Sequence, residues 1–440
     1  MKSTSTHVIS ITNGEEIIAP SPRKHNKAFH CSHSLPLPPV FSKSKIHFSL
    51  FSVGSFLRNK KKKDTERIIH SIKVGISLVL ISLLYLLEPL YVLVAENAIW
   101  AIMTVVVTFE FSAGATLGKG LNRGMGTVLG GGLGIIAAAL AQKLGTVGNC
   151  IIIGASVFIF GTMATYFRLF PSVRKRYDYG VMIFILTFNL VVVSGVRTEH
   201  QKVWEIARDR LLTMVMGFVV CISVSLLVFP LWASDELHDS IVSRFQGLAN
   251  SLQDCLEEYV KFAAEKENKA GASFGICKSL LDSKSKDELL ANFAKWEPWH
   301  GKFGFFYPWE KYLKIGEVLR ELAAIILALG GCLQDSTTAM ALEPCEAIGS
   351  RIVWTMRQLG DSMKQMRKCE AESHISPKLK TAREELSLMI STSKIATIQN
   401  MDALAVTSFV FLLNRVVDKV DQITKEVQQL GDIAGFRPPS

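Results

Sequence analysis

Between Val74 and Ala233 the chain is built of long uncharged runs, separated at short intervals by polar clusters, and few folds accept that pattern. A helix needs roughly 20 mostly apolar residues to cross a bilayer. Six stretches qualify: 68–87, 98–117, 124–142, 145–167, 179–196 and 211–233. Each is too long for an ordinary core strand. From Ser234 onward the chain reads instead as mixed-charge helix. The expected class is an all-α membrane protein: six transmembrane helices per subunit plus a cytosolic helical domain. Its divisions are a basic, disordered cytosolic tail (1–64), the transmembrane domain (65–233) and the helical domain (234–440).

Much of the formal charge of +10 sits in Arg58, Lys60, Lys61, Lys62, Lys63 and Arg67, just ahead of the first span. Such a block sets topology under the positive-inside rule or binds nucleic acid. Six spans favour topology, and no nucleic-acid partner is expected. The same block could also hold anionic lipid headgroups. The 88–97 loop has two carboxylates and no Lys or Arg, so it is expected outside. The polar segment carrying Lys119, Asn122 and Arg123, read as a short loop, and the one carrying Arg168, Arg174, Lys175 and Arg176 are expected in the cytosol. The 197–210 loop departs from the rule, being outward in this scheme yet bearing four basic residues.

Residues 1–57 are rich in Ser, Pro, His and Lys, with Glu15 and Glu16 as the only acids, and read as a disordered tail or a loose transit peptide. Eight scattered cysteines form no C-x-x-C pair, which supports neither a disulfide framework nor a zinc site. Gly126, Gly130 and Gly134 fall on one helix face, the spacing that lets membrane helices approach closely. They match neither a dinucleotide fingerprint nor a P-loop. Past the membrane, Leu237, Ile241, Phe245, Leu248, Leu252, Cys255 and Tyr259 recur at helical spacing, and 322–333 reads as a buried core helix. Pro344 and Pro377 are each expected in a first helical turn. Val406, Phe409, Leu413, Val416, Val420, Ile423, Val427 and Leu430 form an a/d seam, which either pairs with its copy in a second subunit or packs on its own chain.

Ionisable residues within the apolar stretches are few: Lys73, Glu110, Asp178 and, at a margin, Arg197. Such groups are expensive in a bilayer and usually face a bundle interior or water. Lys73 either snorkels to the cytosolic interface or lends its ammonium to a permeation path. For Glu110, pairing with Lys119 or Arg123 is the simplest expectation. Arg174, Lys175 and Arg176 could anchor a helix end, form an electropositive vestibule, or do both. No G-x-S-x-G, H-E-x-x-H or phosphate-binding lysine loop is present, so neither an enzyme nor a cofactor is expected.

Four segments carry a resemblance: WAIMTVVVTFEFSAGATLGKGLNRG (100–124), YDYGVMIFILTFNL (177–190), FPLW (229–232), and AKWEPWHGKF with YPWEKY (294–312). The chain resembles the plant aluminium-activated malate transporter family over roughly residues 65–436. That resemblance implies a homodimeric anion channel, with Lys73, Lys175 and Arg197 at positions of the family's basic pore residues. Lys119 and Arg123 join them as expected pathway residues, and Trp296, Glu297 and Pro298 form the expected cytosolic motif. Met182 stands where some vacuolar members carry a basic residue, which favours the plasma membrane over the vacuolar membrane. Trp299 is a second departure from the family pattern.

The function expected from the charges and the resemblance together is passive transport of malate and small inorganic anions by a plant channel in contact with membrane lipid. A proton-coupled organic or aromatic acid exporter using Glu110 and Asp178 is one rival. A membrane-anchored helical interaction protein is another.

Overall fold

The computed structural model describes residues 43–86, 98–143, 145–194, 200–264, 274–304, 307–335, 343–369, 372–391 and 400–438, with most of their side chains from Asp64 onward. It divides into two units, Met1–Lys63 and Asp64–Ser440. In the smaller unit residues 43–63 are helical, where the sequence led us to expect disorder as far as residue 64. That stretch has no proline, and Gly54 is its only glycine, so little opposes a helix there. Helix α1 is Lys43–Leu86, and its residues from Asp64 belong to the larger unit.

Five helices of the described chain are long and apolar enough to span a membrane. They are the 64–86 part of α1, α3 (Ala113–Gln142), α4 (Gly145–Leu169), α5 (Pro171–Ser194) and α6 (His200–Leu227). Helix α2 (Ala98–Thr108) has 11 residues. At 1.5 Å per residue it covers about 16 Å, roughly half the hydrocarbon thickness. The second expected span therefore ends early, at a break over 109–112.

The same break corrects the reading of the polar segment. Lys119, Asn122 and Arg123 do not form a loop; they lie inside α3, which starts at Ala113. Ser112 caps that helix by accepting from the Ala115 N–H at 3.3 Å. The Thr116 hydroxyl accepts from the Glu110 N–H at 3.0 Å, and the Ala113 N–H donates to the Leu231 carbonyl at 2.9 Å. These bonds satisfy part of the non-helical backbone at the break. Polarity suggested a turn at 118–123, whereas hydrogen bonding put it ten residues earlier.

Glycine sets the packing of the membrane half. A Cβ at Gly130 would sit 2.6 Å from the Phe184 carbonyl oxygen, and one at Gly134 2.9 Å from Val191 Cβ. Helices α3 and α5 therefore approach backbone to backbone along the expected glycine face. On the other side Gly217 of α6 brings that helix against α2, where a Cβ would meet the Ala101 carbonyl at 2.8 Å.

The helical domain comprises α7 (Ala233–Ala264), α8 (Gly275–Leu281), α9 (Lys284–Ala294), α10 (Trp309–Asp335), α11 (Glu343–Gln365), α12 (Glu372–Ser391) and α13 (Asn400–Ala434). The expected stripe of α7 from Leu237 to Cys255 is buried, as are Leu322, Ile326 and Leu329 of α10. From Phe409 to Leu430 every seam residue of α13 is buried in the same core, within its own chain. Val406 has no described side chain. Pro344 does lie in the first turn of α11, but α12 begins five residues before Pro377, which sits inside it.

Candidate functional site

Membrane helices gain nothing by burying an isolated charge, so each buried cation here calls for a reason. Lys73 is 1% exposed and Arg123 is 8% exposed. Arg210, within the Trp204–Leu227 span, is 5% exposed. Among the described residues none of the three has a carboxylate within ion-pair distance.

Lys73 lies on α1, one turn after His70, whose ring lies 5.8 Å from that of Phe109 and 5.5 Å from that of Phe111. That contact sets α1 beside the break between α2 and α3. Arg123 lies ten residues into α3, about 15 Å along its axis. Its Nη1 donates to the Tyr179 hydroxyl at 2.9 Å, while its Nε has no acceptor among the described residues. The Arg210 guanidinium lies over the Trp100 ring, 4.0 Å from the centroid, and its Nη1 also lacks an acceptor. Arg123 Nε and Arg210 Nη1 are thus free to donate to an anion.

The two carboxylates expected in the membrane half, Glu110 and Asp178, are both matched. Lys119 donates to Glu110 at 2.5 Å and stands 5.5 Å from the Tyr179 ring centroid. Of the two partners expected for Glu110, the structure selects Lys119. Arg168 grips Asp178 with two hydrogen bonds of 2.5 and 3.1 Å. The side chain of Lys175 and the whole of Arg197 lie outside the described residues.

Arg210 was missed in the sequence because it stands at the end of a polar segment, immediately before an apolar run. Carrying the helix one turn upstream of the hydropathy boundary would have included it.

The motif Trp296, Glu297 and Pro298 joins the helical domain to the membrane helices. The Glu297 carboxylate accepts from the Ala233 N–H at 2.6 Å, the Ser234 N–H at 3.2 Å and the Ser234 hydroxyl at 2.5 Å. It thereby satisfies two orphan donors at the N-terminus of α7, where the helix dipole also favours negative charge. Burial pushes its pKa up, and those hydrogen bonds only partly oppose the rise. The His300 ring stacks on Trp232 at 3.7 Å, and Trp296 fills the space beside Gly118. Phe229, at the turn leading into this junction, has φ +43°, a conformation that neighbouring contacts must hold in place.

The family model described as Aluminium activated malate transporter matches residues 58–407. The chain is 42% identical to Aluminum-activated malate transporter 12 of Arabidopsis thaliana over 363 residues, 81% of this chain and 63% of that protein. It is 38% identical to Aluminum-activated malate transporter 2 of the same plant over 390 residues, 86% of this chain and 77% of that one. Against Aluminum-activated malate transporter 1 of Triticum aestivum the identity is 33% over 397 residues, 86% and 84% of the two chains. The match spans a little under two thirds of the first of these relatives. A family match over most of its length, on an all-α membrane fold, makes this chain a member of the aluminium-activated malate transporter family.

Proposed function

We propose that this chain is a subunit of a plant anion channel that passes malate and small inorganic anions down their electrochemical gradient. One observation carries the proposal: Lys73, Arg123 and Arg210 are buried among membrane helices with no carboxylate partner among the described residues. Unmatched cations in that setting mark an anion path, because a passing carboxylate replaces part of its lost hydration with their charge. Malate as the substrate comes from the names of the relatives.

Lys119, held by Glu110, belongs to the mouth of this path, and Lys175 and Arg197 stay in it on the strength of the family resemblance. Trp296, Glu297 and Pro298 couple the helical domain to it. Glu110 and Asp178 are both engaged by cations, which favours passive flux over a proton relay. We read the channel as a homodimer, as neither an enzyme nor a cofactor or nucleic-acid binder, and as a plasma-membrane rather than vacuolar protein. With the α13 seam consumed inside its own chain, a second subunit would meet other faces.

The test is two-electrode voltage clamp of malate-loaded oocytes expressing the chain, with and without external aluminium. An inward current reversing near the malate equilibrium potential is expected. It should fall in Lys73→Gln and Arg210→Gln at unchanged surface protein. Silence from confirmed surface protein would overturn the channel reading.

A further inference from the structure

A cavity of about 560 Å³ lies where the membrane helices meet the helical domain. The turn at 110–112 and helices α3, α5, α7 and α9 all contribute to its wall, together with Trp296. Its three carboxylates are each matched: Glu110 by Lys119 at 2.5 Å, Asp178 by Arg168 at 2.5 Å and Glu236 by Lys286 at 2.7 Å. Arg174 and Arg176 remain, with no ion-pair partner within 4 Å among the described residues. Arg176 is held in place from two sides. Its backbone carbonyl accepts from Asn122 Nδ2 at 2.8 Å, and its guanidinium lies 5.4 Å from the Trp296 ring centroid. The buried Asn122 Oδ1 has no donor among the described residues. Phe111, Leu289 and Phe293 make much of the rest of the wall apolar.

We propose that this cavity binds the phosphate headgroup of an anionic membrane lipid, with Arg174 and Arg176 as the phosphate ligands and Trp296 as the platform behind them. Two guanidiniums outside ion-pair distance of every described carboxylate suit phosphate, which takes paired N–H donors from each fork. The apolar wall suits the glycerol and upper acyl region of a lipid better than it suits a free ion. Position points the same way, because Arg176 opens the Arg176–Ser194 span and so stands at the depth of headgroups. A bound headgroup would touch α3 and α5 on one side and α9 with Trp296 on the other, tying the helical domain to the membrane helices.

The test measures binding to the purified full chain in non-ionic detergent by native mass spectrometry, so it reads nothing of transport and stands apart from the channel assay. The probes are dioctanoyl phosphatidic acid, dioctanoyl phosphatidylcholine and inorganic phosphate. Saturable phosphatidic acid binding is expected, about tenfold tighter than that of either other probe. It should weaken at least tenfold in Arg174→Gln/Arg176→Gln and in Leu289→Trp, which fills the cavity from an exposed position. Arg174→Lys/Arg176→Lys keeps the charge but not the fork and should lose part of the affinity. Lys60→Gln/Lys61→Gln/Lys62→Gln/Lys63→Gln should lose none. Equal binding of inorganic phosphate would overturn the lipid assignment. Affinity untouched by the Arg174/Arg176 and Leu289 changes would overturn the site.

Discussion

The two halves of this molecule treat buried charge in opposite ways. In the helical domain Asp287 is 1% exposed and is clasped by Arg244 at 2.6 and 2.7 Å and by Arg320 at 2.9 Å. In the membrane half Lys73 and Arg210 are also buried, yet no carboxylate of the described chain answers them. A buried charge is tolerable when partners replace its lost hydration, and removing one partner strands the others. The first arrangement is complete in itself and reads as structure. The second is incomplete, which is what the proposed anion path requires. Burial alone therefore says little about role; the state of the partners separates a fastening from a path.

The sharpest way to break this contrast is Asp287→Ala, which would strand two guanidiniums and should cost about 3–5 kcal/mol in unfolding of the helical domain. A loss under about 1 kcal/mol would mean that the triad is not a fastening. Acid provides the next test. His238 is buried, bonded to the Tyr312 hydroxyl at 2.9 Å, and its pKa is pushed down from 6.5 to about 4, by burial first and by Lys302 second. The folded state therefore holds His238 neutral where the unfolded chain would protonate it. Its stabilising contribution is complete above pH 6.5 and is lost as pH falls toward 4, by at most about 3 kcal/mol. Thermal melts across that range should show the slope, and His238→Phe should flatten it.

Packing gives a third test. Gly130→Leu meets the Phe184 carbonyl and should destabilise the membrane half by about 1–3 kcal/mol or more, whereas Gly132→Ala, with open space around it, should change little. A melt of purified protein in detergent distinguishes them. The smallest effect on stability is expected from Arg210→Gln, which removes a charge that no carboxylate compensates. Its melting temperature should hold or rise while anion current drops about tenfold. A large fall in stability with current intact would show Arg210 to be a fastening after all, and the contrast would collapse.

Much of the architecture was legible in residue order. The glycines of α3 announced a close helix pair, and their partner proved to be α5. The periodicity of α13 announced a seam but could not say what it met, because an a/d stripe buries equally well against a copy or against α10, α11 and α12. The break between α2 and α3 was misplaced because hydropathy registers polarity, not hydrogen bonding. Lys119 and Arg123 are polar yet helical, while the non-helical turn lies at the apolar Phe109 and Phe111. The candidate site was half visible: Lys73 stood out as a charge within an apolar run and Arg123 as one beside it, while Arg210 was hidden at the edge of another.

What the sequence settled by itself is the solvent of each region, since a bilayer demands uninterrupted apolar runs and water demands stripes, and both are one-dimensional patterns. Only the tertiary structure decided which charges are matched. Glu110 could have met Lys119 or Arg123, and Glu297 lies 64 residues from the Ala233 N–H it satisfies. Whether a buried cation fastens the fold or waits for an anion depends on distances of about 3 Å between residues far apart in the chain, which only folding brings together.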